Sequence, residues 1–115
     1  MTNASSSNST KYLTEYANKE YSVSSDKVLF NNVEKQLKKL PQFIIKKLLA
    51  WARSVELKGL LNVRKIAGYH DESLKGSRLG QRSIRLSKAY RAFYTEQIKG
   101  EIKFIVIEEV NKHEY

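Results

Sequence analysis

The sequence predicts an α+β domain in which two helices pack on one face of a twisted antiparallel sheet, in the order βααβββ. Three observations carry this expectation. Two apolar stripes of helical period flank the single proline, Pro41. Three strand-like segments then follow one another with short connections, which favours an antiparallel meander. Hydrophobic residues make up 41% of the 115 positions, enough for one compact core.

Lys27, Val28, Leu29 and Phe30 form a short apolar run ahead of Asn31 and Asn32, read as a first strand followed by a helix cap. Val33, Leu37 and Leu40 recur at helical spacing and predict a helix over 32–40. Pro41 breaks it and suits the first position of the next helix. Ile44, Leu48, Trp51, Ala52 and Val55 mark one face of a helix over 41–57, with Gly59 as its stop. Residues 68–80 hold three of the five glycines and read as a long structured loop. In the strand predicted over 81–87, alternation sets Arg82, Ile84 and Leu86 on one face and Ser83 and Arg85 on the other. Residues 89–95 form an aromatic-rich strand carrying Arg91, Lys99-Gly100 signals a turn, and 102–110 is apolar on both faces, as an inner strand is. Residues 1–25 are polar and low in complexity, so they read as a weakly ordered tail ahead of a domain spanning 26–115.

Charge narrows the partners. Lys and Arg number 21 against 12 Asp and Glu, a formal net charge of +9. Segments 35–65 and 74–99 together hold 16 of the cations and only two acids, Glu56 and Glu96. Such a surface suits a polyanion or an acidic protein. Lysines on helices also serve as a plain solvated face, whereas arginines inside strand patterns suggest a platform for phosphate, which the planar guanidinium grips at two points. The absence of cysteine excludes a disulfide scaffold and thiolate metal sites and suits a cytoplasmic setting. No apolar run of about 18 residues and no secretory leader is present, so no membrane role is expected.

The chemistry-bearing residues gather in the loop, the strands and the chain end: His70, Asp71, Glu72, Lys75, Arg78, Arg82, Arg85, Arg91, His113 and Tyr115. Adjacent His70, Asp71 and Glu72 do not converge on one ion without an irregular turn, so no metal site is expected. No serine sits in a strand-to-helix elbow, which leaves a nucleophilic triad without support. Metal-free RNA cleavage needs a base for the ribose 2′-OH, cations for the growing phosphate charge and an acid for the leaving 5′-oxygen. Glu72 or His70 suits the base, Arg91 with Lys75 or Arg82 the clamp, and His113 the acid, since an imidazole titrates near neutrality. The competing structural readings are equally definite. Glu72 would cap or pair a loop, His113 would be a chain-end surface residue, and Arg91 would pair with Glu108 or Glu109.

The stretch HDESLKGSRLGQRSIRLSKAYRAFY, an apolar strand after it, and the ending EEVNKHEY resemble the RelE/ParE superfamily of bacterial toxins, most of all its RelE, YoeB and HigB branch. The resemblance runs from about Lys27 to Tyr115 and rests on LKG, SIRL, YR-x-x-Y and the terminal H-x-Y taken together. It implies a RelE-like fold and the toxin of a type II toxin–antitoxin system, a ribosome-dependent endoribonuclease that cuts mRNA in the A site without a metal or other cofactor. Glu72 falls on the family's base, with His70 as co-candidate. Lys75 falls on the lysine of LKG, Arg91 on the arginine at the scissile phosphate, His113 on the acid and Tyr115 on the C-terminal aromatic that stacks or orients a base. Lys38, Lys39, Lys46, Lys47, Arg78, Arg82 and Arg85 are then expected to hold RNA or ribosome. The implied partners are a cognate acidic antitoxin, the ribosome and mRNA, with the protein a monomer or part of a toxin–antitoxin hetero-oligomer. Two features depart from the family pattern. The first 25 residues have no counterpart, and Glu114 stands where close relatives often carry a neutral residue, which shifts the match of Tyr115 by up to one position. Two alternatives follow from the same residues: a ParE-like inhibitor of DNA gyrase, which lacks most of the acid–base set, and a non-catalytic basic module that binds RNA or ribosome.

Overall fold

Strand β1 (Asp26–Leu29) leads through a 3₁₀ turn (Asn31–Val33) into the single-turn helix α1 (Glu34–Leu37) and then the long helix α2 (Gln42–Lys58). The short helix α3 (Leu60–Val63) follows, then β2 (Glu72–Ser73), β3 (Arg82–Arg85), β4 (Tyr90–Lys99) and β5 (Ile102–Lys112). The computed structural model describes residues 24–112. The strands form one sheet in the order β1-β5-β4-β3-β2. No helix among the described residues is long and apolar enough to cross a membrane.

The α+β class and the β3–β4–β5 meander match the sequence expectation. The sheet is mixed, however, because β1 pairs parallel to β5, Val28 lying opposite Ile105. A short connection fixes antiparallel pairing only between neighbours in sequence; β1 reaches β5 across the whole rest of the chain. A fifth strand, the two-residue β2, pairs antiparallel with β3. The first helix is also shorter than 32–40. A nine-residue helix is marginal on its own, and here its apolar positions are anchored: Val33 is fully buried, and Leu37 and Leu40 pack on the core. Gln36 meanwhile turns its side-chain amide to β5, where it accepts from the Val110 N–H (3.0 Å) and donates to the Val110 carbonyl (3.3 Å). Pro41 caps α2 from outside; its φ of −57° and ψ of 144° are extended, and its carbonyl accepts from Ile44 and Ile45.

One face of the sheet is roofed by helices. Ile44, Leu48, Trp51 and Val55 of α2 and Leu60 and Val63 of α3 are fully buried against Ile84, Ala92, Tyr94, Ile105 and Ile107. Trp51 and Tyr94 rings meet with centroids 5.4 Å apart. The chain enters this layer through Ser24, whose hydroxyl donates to the Val55 and Glu56 carbonyls, and Asp26 accepts the Leu60 N–H at 2.8 Å where Gly59, at φ 87°, turns the chain from α2 to α3. Since the helices cover one face, the other is available for a site. An irregularity on β5 decides what points there. Phe93 pairs with Glu109 but Tyr94 pairs with Ile107, so Glu108 is an extra residue. Thr95 and Asn32 donate to its carboxylate.

Candidate active site

Strand register assembles the open face. Glu72, Ser83, Phe93 and Glu109 lie in one row across four strands, and Arg85, Arg91 and Asn111 lie in the next. The intervening positions, Ile84, Ala92 and Val110, are core residues on the helix side, so the two rows share the uncovered face. Arg91 sits at the centre. Its Nη2 donates to Glu72 Oε1 at 3.0 Å and to Ser83 Oγ at 3.0 Å. Ser83 is buried beneath it, while the Glu72 side chain is 61% exposed and able to meet a ligand. Arg85, the register partner of Arg91, has no ion pair among the described residues. Two guanidiniums thus lie side by side next to a carboxylate, and of the two only that of Arg91 is in an ion pair among the described residues.

The structural alternatives for Arg91 are thereby decided. It pairs with neither Glu108 nor Glu109. Glu109 is taken by Arg78, whose Nη2 lies 2.9 Å from Oε1, whose Nη1 donates to Gln81 at 2.9 Å, and whose guanidinium stacks 4.0 Å over the Phe93 ring. The hydrogen bond from Arg78 holds the Glu109 carboxyl below the usual carboxylate range, assisted by Asn111. A carboxyl depressed in the folded state stabilises fully above its unfolded value, about 4.3, and that stability is lost as the pH falls through the folded value. Glu109→Gln should therefore lower the melting temperature at pH 7, and the gap from wild type should close on acidification toward pH 2. A gap that stays constant would show that the charge of Glu109 is immaterial.

The remaining sequence-predicted residues fall in three places. His70 and Lys75 are exposed at the two ends of the β2 segment. His70 has φ 45°, a left-handed conformation uncommon for a residue with a side chain, and Lys75 begins the 3₁₀ turn Gly76–Arg78. Lys38, Lys39, Lys46 and Lys47 are exposed on the helix layer, across the sheet from Arg91. Arg82 is not brought to the open face: its Nε donates to the buried Asp71 at 2.6 Å on the helix side. His113 and Tyr115 lie outside the described residues, as does most of the expected tail. Lys112, immediately before His113, pairs with Tyr90, the neighbour of Arg91. Ser83, Phe93 and Asn111 belong to the open-face group although the sequence reading did not single them out. Alternation from Arg85 and Arg91 points to Ser83 and Phe93. Among the described residues no cluster of three or more His, Asp or Glu is placed to hold a metal.

No family profile matches the chain, and no curated protein sequence matches it. Solved structures do. The RelBE2 toxin–antitoxin complex from Mycobacterium tuberculosis aligns over 76% of this chain and 96% of that one, with a TM-score of 0.54 and 22% identity. A YoeB/ParE toxin from Agrobacterium tumefaciens aligns over 76% and 99%, with a TM-score of 0.54 and 16% identity. YafQ from E. coli strain BL21(DE3) aligns over 76% and 92%, with a TM-score of 0.54 and 15% identity. The protein thus has the RelE-like fold, the fold of the RelE, YoeB and YafQ toxins.

Proposed function

We propose that this protein is the toxin of a type II toxin–antitoxin pair and that it cuts mRNA in the ribosomal A site by general acid–base chemistry. The observation that carries the reading is the Glu72–Arg91 pair at 3.0 Å on the uncovered face of a RelE-like sheet, with Arg85 beside it. Glu72, exposed and oriented by Arg91, takes the proton of a ribose 2′-OH. The 2′-oxygen attacks the adjacent phosphorus, and the bond to the 5′-oxygen breaks, giving a 2′,3′-cyclic phosphate and a 5′-hydroxyl. Arg91 and Arg85 neutralise the charge that grows on the phosphate oxygens, and they do so from strands whose positions are fixed before substrate arrives. His113, the residue after Lys112 in the chain, is assigned to supply the proton to the leaving oxygen. His70, exposed next to Asp71, is the second candidate for the base, and Lys75 and Tyr115 are assigned to phosphate and base contact. The excess of cations suits an acidic antitoxin that covers the open face and holds the toxin inactive, and similar structures, the RelBE2 complex and the DinJ-YafQ complex from E. coli among them, are toxin–antitoxin complexes by their descriptions.

Expression without an antitoxin should arrest growth and produce mRNA ends inside translated codons, mapped by primer extension. Arrest with intact transcripts and gyrase-dependent DNA damage would instead assign the ParE-like activity, and ribosome binding with neither would assign a non-catalytic module. The helix lysines have a separate role in this reading. Reversing the charge of Lys38, Lys39, Lys46 and Lys47 together should weaken association with ribosomes and flatten its dependence on salt, because fewer phosphate contacts release fewer counterions. Unchanged binding in a sedimentation assay would leave these lysines a solvated face.

A further inference from the structure

Asp71 occupies a position unlike that of its two neighbours. His70 and Glu72 are exposed, whereas the Asp71 side chain is 1% exposed. Its Oδ1 accepts from Arg82 Nε at 2.6 Å, its Oδ2 accepts from the Tyr94 hydroxyl at 2.6 Å, and Arg64 Nε lies 3.8 Å away. Tyr94 is itself fully buried against Trp51; burial and its bond to Asp71 hold the phenol above its ordinary range, so it remains a donor. Arg64 extends the group to Glu96, and Lys103 completes it. The carboxylate is therefore tied to the centre of the core from the very residue that precedes Glu72.

This anchor answers a mechanical need. Strand β2 has only two residues, Glu72 opposite Ser83 and Ser73 opposite Arg82, too short a ladder to fix a side chain by itself. The turn into it passes through His70 at φ 45°, a conformation that persists only where the surroundings impose it. Once Asp71 is held on the helix side, alternation delivers Glu72 to the opposite face, where Arg91 waits. Arg82 closes the arrangement, since its backbone pairs with Ser73 and its side chain with Asp71.

We propose that Asp71 is the positioning residue of the open-face site: through Arg82 and Tyr94 it sets the loop so that Glu72 stays within hydrogen-bond distance of Arg91. Its part in cleavage rests on the function proposed above, but the placement of Glu72 does not. Asp71→Asn keeps the shape and removes the charge; Tyr94→Phe keeps the ring and removes one donor. Two measurements on the full chain test the idea. The Arg91 guanidinium signals in nitrogen-15 NMR should move in Asp71→Asn as they do in Glu72→Gln, and by less in Tyr94→Phe. The Leu74 amide, bonded to the Gln81 carbonyl at 3.0 Å, should exchange roughly 10- to 100-fold faster in Asp71→Asn while β4–β5 amides keep their protection, as loss of a charged hydrogen bond implies. Single-turnover cleavage should fall with these changes at unaltered ribosome affinity, whereas Val55→Ala, a core change away from the loop, should keep its rate. An Arg91 spectrum unlike that of Glu72→Gln, or exchange that rises uniformly across the sheet, overturns the positioning role, as does a normal cleavage rate with a disturbed loop. A wild-type protein that cuts no RNA refutes the proposed function and leaves the spectrum and the exchange to decide the placement.

Discussion

Glu72→Gln should lower the single-turnover rate of mRNA cleavage by about 100- to 10,000-fold, the range that a lost proton-transfer group commands. The substitution keeps the size, and the amide oxygen still accepts from Arg91. Because Glu72 is well exposed and, among the described residues, pairs with the partly exposed Arg91 alone, the ion pair adds little to stability. The melting temperature should stay close to that of wild type, and antitoxin and ribosome binding should be retained. A structural carboxylate would behave otherwise, with the melt shifting and the rate following only through the folded fraction. If His70 is the base instead, Glu72→Gln keeps most of its rate and His70→Gln takes the loss.

Arg91→Ala should cost about 100-fold in the same rate, since it removes a donor whose contact strengthens as the phosphate gains charge. Here a modest loss of stability is expected as well. Ser83 is 1% exposed, and Arg91 Nη2 donates to its hydroxyl. Leaving that buried oxygen without this partner costs on the order of 1 kcal/mol. Arg91→Lys restores the charge but not the planar fork that meets Glu72, Ser83 and a phosphate together, so it should recover binding better than rate. Arg85→Ala, lacking any ion pair to break among the described residues, should lose rate with no loss of stability.

Much of this site was legible because period two is a strong rule in a short antiparallel strand. Alternation over 81–87 already separates Arg82, Ile84 and Leu86 from Ser83 and Arg85, and the structure keeps that division. Ile84 and Leu86 are buried, which places Arg82 on the helix side, and its assignment to RNA fails to follow its own strand pattern. Arginine at the end of an apolar face is better read as the partner of a buried acid, and Asp71 is that acid. The sequence reading assigns Glu72 and Arg91 to one site, but their direct contact, 19 residues apart, is specified by no local pattern, because the pairing of β2 with β3 depends on a two-residue ladder and on the Asp71 anchor.

What escaped the sequence has physical causes of the same kind. The parallel pairing of β1 with β5 is a contact between the two ends of the domain, and no turn chemistry announces it. The extra residue at Glu108 shifts the faces of β5, so simple counting from Val110 sets Glu108 on the core side, whereas Ile107 takes that place. The first helix is short because the chain tightens at both its ends: the Val33 N–H bonds the Phe30 carbonyl, and the Lys39 and Leu40 N–H groups bond the Gln36 and Leu37 carbonyls, three residues back, just before Pro41.

The central claim is that Glu72 and Arg91 form a cutting site on the open face, and the most direct measurement is single-turnover cleavage of a 5′-labelled mRNA on programmed ribosomes with an empty A site. Wild type, Glu72→Gln, Arg91→Ala and His113→Gln are compared at equal ribosome occupancy beside thermal melts of the same samples. The prediction is cutting within the A-site codon by wild type to a 2′,3′-cyclic phosphate, with losses of about 100-fold or more in all three variants, unchanged occupancy, near-native melts for Glu72→Gln and His113→Gln and a modestly lowered one for Arg91→Ala. Cutting at the normal rate by Glu72→Gln and Arg91→Ala, or an intact message with fully occupied wild-type ribosomes, would contradict it.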